Sequence, residues 1–416
     1  MTRLQPGSSL SAIAAKVESG ERLSPDDGVV LYRSRDIHEI GRLADLVRRR
    51  LHGDAAYFNV NRHINYTNYC TLQCKFCSFY RPYVRRFGKA ARRGSDRLGE
   101  ANRTGRSLAA DARDDGYELS VEEVVEEAKE AYRAGATEVH IVGGLHPRLP
   151  FSYYVGLCRA IRAACPRIHI KAFTAIEIIH FSRIARPRLS VSDVLVQLRE
   201  AGLDSLPGGG AEIFDERVHD EAHPHKVGGA GWFSVHRAAH ELGIYSNATM
   251  LYGHIEGCEE RIRHMIKLRA QQDQSLRTAR AAFNCFVPLS FIPEGSAFAH
   301  LPGPTGLDDL KTLAISRLML DNIPHIKAFW VMQGAKLAQV SLNWGVDDFD
   351  GTVVQYRIAN SEGGCGGHGQ DKALEGIKRL ILEAGLRPVE RDSLYRSVVR
   401  NGASWRLLTE KVVNKT

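Results

Sequence analysis

Cysteine is scarce in this chain, with eight in 416 residues. That is too few, and too dispersed, for a disulfide-stapled scaffold. Apolar runs are short as well. No stretch reaches the roughly 18 consecutive apolar residues that a membrane helix needs, so no membrane span is expected. The start, Met1 to Leu10, has neither a positive leader nor a following apolar core. No export signal is therefore expected, and the expected location is cytoplasmic. Apolar residues make up 44% and charged residues 25%, as in an ordinary globular enzyme. The length allows one large barrel with appendages or two ordinary domains.

The formal charge of +8 raises the question of a nucleic-acid partner. Its distribution argues against one. The stretch Arg81–Arg113 holds ten Arg and Lys residues against Asp96, Glu100 and Asp111. It is poor in large apolar side chains and cannot bury enough surface to offset its ordering entropy. A mobile basic insert over 81–116 is expected, with little bearing on the core.

One unit recurs along the chain: an amphipathic helix, a glycine stop, then a short β-prone run. Ser120 and Glu123 form a capping box. Val121, Val124, Val125, Ala128 and Tyr132 follow at helical spacing, Gly135 ends the helix, and Glu138–Val142 reads as a buried strand. Val194–Ala201, Gly202 and Leu203–Leu206 repeat the unit, as do Val235–Leu242, Gly243 and Ile244–Leu251. Ile64–Thr67, Ile168–Ala172 and Ala282–Phe291 bring the expected strands to six. Helices alternating with such strands indicate an α/β fold with a parallel sheet, either open or curled into a full or partial barrel. Leu10–Gly53 reads as helical and Pro302–Gly306 as a linker. Leu307–Ile323 and Asp371–Ala384 read as helices of a C-terminal cap. The expected segments are an N-terminal helical extension (1–55), a core (56–300) and the cap (301–416).

Three of the eight cysteines fall together, Cys70-Thr-Leu-Gln-Cys74-Lys-Phe-Cys77, directly after the first expected strand. Thiolates this close on a loop can wrap one centre of iron–sulfur, zinc or copper(I). A structural zinc site wants a fourth ligand, and no second Cys-x-x-Cys pair exists. His63 could supply one, so zinc stays open. Cys158, Cys165, Cys258, Cys285 and Cys365 read as buried free thiols. Gly143-Gly144 follows the second strand, where glycine permits close approach of backbone to a ligand. Glu177 and Glu212 follow the third and fourth strands at the expected barrel mouth, positioned for ribose hydroxyls or for helix caps. Leu206-Pro-Gly-Gly-Gly-Ala211 lacks the Lys-Ser/Thr of a nucleotide-binding P-loop, so close packing against a cofactor is expected. Gly363-Gly-Cys-Gly-Gly-His368 reads as a flexible turn.

The Cys-x3-Cys-x2-Cys loop, with Phe76 before its last cysteine, resembles the signature of the radical S-adenosylmethionine superfamily. That resemblance implies a partial (β/α)6 TIM-like barrel and a 4Fe–4S cluster on Cys70, Cys74 and Cys77. The iron without a protein ligand would chelate S-adenosylmethionine, and an electron from the cluster would release a 5′-deoxyadenosyl radical. Gly143 and Gly144 would then approach the methionine amino group, and Gly253 and Glu256 match an adenine-contacting region. Within the superfamily, Asn65-Tyr-Thr-Asn68, Lys171-Ala-Phe-Thr-Ala-Ile-Glu-Ile178, Leu206–Ile213, Ser246–Glu256, Ser316–Lys327 and Asp347–Thr352 resemble aminofutalosine synthases. The third-strand segment favours these over the related dehypoxanthine futalosine cyclases. The resemblance implies radical addition to 3-[(1-carboxyvinyl)oxy]benzoate on the route to menaquinone, and an electron donor such as flavodoxin or ferredoxin. A dicarboxylate substrate needs cationic or donor groups at the mouth: Lys171, Arg317 and Lys327 are candidates, with His146 for proton transfer or hydrogen bonding. The alternative from another class is a zinc-stapled protein that binds RNA through its basic insert.

Overall fold

The computed structural model of the chain describes residues 9–83, 116–353, 358 and 374–408. All but the ends of the basic insert, and the whole Gly363–His368 loop, lie outside these residues. Ten of the strands are β1 (Ala55–Asn59), β2 (Asn61–Ile64), β3 (Glu138–Ile141), β4 (His169–Ala172), β5 (Ser205–Leu206), β6 (Tyr245–Tyr252), β7 (Phe283–Ser290), β8 (His325–Ile326), β9 (Asp348–Gly351) and β10 (Arg387–Glu390). A hairpin of β11 (Val398–Asn401) and β12 (Ser404–Leu407) follows.

Strands β2 to β8 form one parallel sheet in sequence order, the curled partial barrel of an α/β protein. It has seven strands, one more than the sequence indicates. The addition, β8, is two residues long, too short to carry a period. β9 then spans the open side: Lys327 bridges Asp348, the Ala328 N–H donates to the Asp348 carbonyl at 2.9 Å, and β9 pairs with β1. The first expected strand sits three residues earlier than its apolar pattern suggests, because the chain leaves the sheet after Ile64 and Thr67 bridges Glu118 instead.

Local chemistry explains the crossover helices. In Val121–Arg133 the Ser120 Oγ accepts the Glu123 N–H at 3.2 Å, and the Glu123 carboxylate accepts the Ser120 N–H at 2.7 Å. The helix buries Val124, Ala128 and Ala131 against the sheet, and a fully buried valine contributes roughly 1.5–3 kcal/mol. The helices Leu10–Ser19, Pro25–Arg33 and Ile37–His52 precede β1; the latter two pack on Cys258–Thr278 and Gly306–Met319. The described residues after 300 are built into the wall, since they supply β8 to the main sheet and β9 and β10 to the strands flanking β1. No helix among the described residues is long and apolar enough to cross a membrane.

Candidate active site

The cysteine loop leaves β2 at the end of the barrel where all the parallel strands point. Backbone bonds pin it at three places: Thr71 N–H to Leu145 O (3.0 Å), Lys75 N–H to Ala222 O (2.9 Å) and Ala297 N–H to Lys75 O (2.8 Å). Cys70 Sγ accepts the Leu72 and Leu145 N–H groups at 3.4 and 3.3 Å. Amide donors aimed at sulfur favour the thiolate. Burial alone acts the other way and pushes all three thiols up, Cys74 to about 12. Without a metal the three thiols stay protonated; a cationic centre bound among them would displace the protons and hold them as thiolates. The three cysteines therefore fit an iron–sulfur cluster. His63 does not join them: its ring stacks on His140, centroids 4.5 Å apart, lower in the barrel.

The loop borders a cavity with about 1260 Å³ of empty space, part of it open to solvent. Its upper wall carries Phe76, Cys77, Glu212 and Gly208–Gly210; its floor carries His63, Glu138, His140, Lys327 and Asp350. Glu212 and Asp350 both hold positive φ, 46° and 71°, a strained conformation for non-glycine residues that clusters at functional sites. Glu212 pairs with Lys226, which lies 5.3 Å from the Phe76 ring centroid. Its ammonium also favours charge on Cys74. Phe76 meets His223 edge-on at 5.7 Å and stacks on His254 at 6.4 Å. The Gly253–Glu256 turn is thereby brought to the cysteine loop.

Several other sequence-chosen residues prove occupied by the protein itself. Glu177 is buried at the N-terminus of helix Ala175–Ile184, where it accepts Thr174 N–H (2.6 Å), Tyr66 Oη–H (2.7 Å) and Gly143 N–H (3.2 Å). Burial raises its carboxyl to about 7 against those donors. Glu256 folds its own turn, accepting Gly253 N–H at 2.6 Å, His254 N–H at 3.0 Å and Arg261 Nε–H at 2.8 Å. Gly253 has φ of 89° and would drive a Cβ to 2.6 Å from Pro304. Gly143 and Gly144 are packed tightly: a Cβ on Gly144 would fall 2.3 Å from the Tyr69 carbonyl, and one on Gly143 2.7 Å from the Tyr66 ring.

Three of the four residues chosen for substrate chemistry do not line the cavity. His146 Nδ1 accepts the Arg148 and Leu149 N–H groups, and its Nε2 lies 2.7 Å from Glu118. Lys171 is buried and donates to Glu138 at 2.7 Å. Arg317 is fully buried against Asp347 and the carbonyls of Gly345 and Pro324. Lys327, by contrast, reaches the cavity and donates to Asp350 at 2.7 Å. Sequence reasoning missed His140 and Asn247 as cavity residues, and Lys226 as the partner of Glu212. The available signal was polar residues interrupting apolar strands: His63, His140 and Lys171 share one register across β2, β3 and β4.

A parallel barrel with three cysteines on the loop after its first strand, opening on a cavity, defines a class of cluster-dependent radical enzymes. The radical SAM superfamily description matches residues 64–269, and that of the CofH/MqnC C-terminal region matches 280–402. The chain belongs to the radical SAM superfamily, and its cofactors are a 4Fe–4S cluster and S-adenosylmethionine. It is 46% identical to an aminodeoxyfutalosine synthase of Thermus thermophilus, over 94% of this chain and 96% of that one. A Streptomyces coelicolor aminodeoxyfutalosine synthase is 42% identical over 91% and 92%. A cyclic dehypoxanthine futalosine synthase of Halalkalibacterium halodurans is 32% identical over 94% and 95%. Methylornithine synthase shares the fold, with a TM-score of 0.64 at 19% identity, over 90% of this chain and 97% of that one.

Proposed function

We propose that this chain is an aminofutalosine synthase: it joins the 5′-deoxyadenosyl group to the enol-ether double bond of 3-[(1-carboxyvinyl)oxy]benzoate, forming a carbon–carbon bond, and rearrangement onto the ring releases the enol-ether carboxyl carbon as bicarbonate. Cys70, Cys74 and Cys77 would hold the cluster, which when bound supplies the electron that cleaves S-adenosylmethionine to the adenosyl radical. The substrate, a planar dicarboxylate, enters the barrel beneath that loop, with its enol-ether double bond turned to the mouth. Phe76, Glu212 and the turn at Gly253 border the mouth and would hold the adenosyl group against it. Excluding water there protects a reactive radical from side reactions. The segments 1–55, 56–300 and 301–416 serve as helical extension, catalytic core and C-terminal cap, the last also lending β8 to the barrel sheet. A cytoplasmic location and a flavodoxin- or ferredoxin-type donor go with this reading.

The observation that carries the proposal is the buried three-cysteine loop over a cavity of this size, in a chain nearly half identical to a named synthase along its length. The test is incubation of anaerobically reconstituted protein with S-adenosylmethionine, dithionite and the enolpyruvyl benzoate. Aminofutalosine is the expected product by mass. Release of 5′-deoxyadenosine without it would sink the substrate while leaving the class. Turnover of dehypoxanthine futalosine instead would assign the cyclase reaction of the 32% identical relative.

A further inference from the structure

The lower cavity wall holds polar groups that the fold leaves unused. His140 of β3 and Asn247 of β6 both line it. Asn247 is only 6% exposed, yet among the described residues its amide takes part in no hydrogen bond. The His140 ring is held in place by stacking on His63, and its nearest carboxylate, on Glu138, is 4.0 Å away. The ionised groups around them are already matched: Lys171 with Glu138, Lys327 with Asp350 and Arg391 with Asp348.

The Asn247 amide opens on the cavity, and an occupant that displaced water there without bonding it would cost roughly 1–3 kcal/mol, so the occupant should complete it. Asn247 offers two N–H donors, a neutral imidazole offers one, and the Lys327 ammonium has donors beyond the one given to Asp350. A set of donors with no unmatched carboxylate suits an anion. Between these groups and the mouth, Val142, Val287, Leu289 and Phe329 present apolar surface to the same cavity, as an aromatic ring requires.

Orientation follows from the chemistry. The radical forms at the mouth, so the double bond it attacks must face the mouth, and the opposite end of the substrate faces the floor. That end carries the ring carboxylate. We infer that His140, Asn247 and Lys327 form the recognition site for the ring carboxylate of the aryl substrate. The inference rests on the proposed function and adds the residues that select its substrate.

The experiment compares 3-[(1-carboxyvinyl)oxy]benzoate with 2-phenoxyacrylate, which lacks the ring carboxylate, on the reconstituted holoenzyme. A site built to bond a polar group rejects an analogue without it, so the unsubstituted enzyme should strongly prefer the benzoate. Asn247→Ala and His140→Gln should each raise KM for the benzoate about 10–100-fold, the size of one hydrogen bond to a charged group, and narrow the preference. Asn247→Asp keeps the shape but sets a carboxylate against a carboxylate, and should lose the benzoate most completely. Equilibrium dialysis of the benzoate against holoenzyme without reductant reads the same change independently of turnover. Equal weakening toward both compounds, or unchanged benzoate binding, would overturn the inference. If the unsubstituted enzyme binds benzoate in dialysis but forms no aminofutalosine, the proposed function fails while the recognition site stands or falls on the variants.

Discussion

The mouth and the floor of the barrel solve opposite problems. At the mouth, burial pushes three thiols up, and neither ring nitrogen of the buried His223, beside Phe76, finds a hydrogen bond. At the floor the ionised groups are paired: the Arg391 guanidinium lies 2.6 Å from Asp348, and Lys327 lies 2.7 Å from Asp350. The mouth is built around what it binds, whereas the ion pairs of the floor hold the strands together and leave neutral groups such as His140 and Asn247 free to meet a ligand. The difference separates residues whose loss removes chemistry from residues whose loss removes the fold.

That separation can be broken by experiment. Replacing Cys74 with Ser should abolish bound iron and turnover, while the apoprotein unfolds at nearly the same denaturant concentration. A large loss of stability would mean that the loop is part of the scaffold. Gly144→Ala should come next, since the Tyr69 carbonyl cannot yield to a Cβ 2.3 Å away. Iron content and activity should both fall at least about tenfold, read by iron assay and product formation. At the floor, Arg391→Met leaves Asp348 buried without its main cation and should cost about 3–5 kcal/mol by denaturant unfolding. The Asp348→Asn/Arg391→Met pair should recover part of that.

A pH effect follows from histidines packed outside the site. Burial holds His169 and His240 to about 4 and His264 to about 3. Their unfolded forms take up a proton near 6.5, so the unfolded state binds more protons below that pH. Stability should therefore fall as pH drops from 6.5 toward 4, by on the order of 3 kcal/mol per residue when complete. His240→Gln should flatten the slope of unfolding free energy against pH; an unchanged slope would remove His240 from the account. The smallest effect belongs to Asp54→Ala, which breaks an exposed pair with Arg387 and should shift stability by less than about 1 kcal/mol.

The cysteine loop, the glycine pair and the repeated helix–strand units were legible because each is local. Three thiols within eight positions, a capping box and a glycine stop are patterns of neighbours in sequence. Lys171, Arg317 and His146 misled for the opposite reason. A cation or an imidazole in sequence has no visible partner, and Glu138, Asp347 and Glu118 lie 33, 30 and 28 positions away. β8 and β9 were hidden because two to four residues carry no periodicity, and β9 forms only where Lys327 and Tyr57 meet it.

By itself, then, the sequence determined the cofactor-binding loop and the parallel α/β architecture, since spacing, capping and alternation are written along the chain. Only the tertiary structure decided which polar side chains face the cavity and which are spent on one another. Strand curvature and register turned His140, Asn247 and Lys327 inward. Ion pairing across the barrel took Lys171 and Arg317 out of reach.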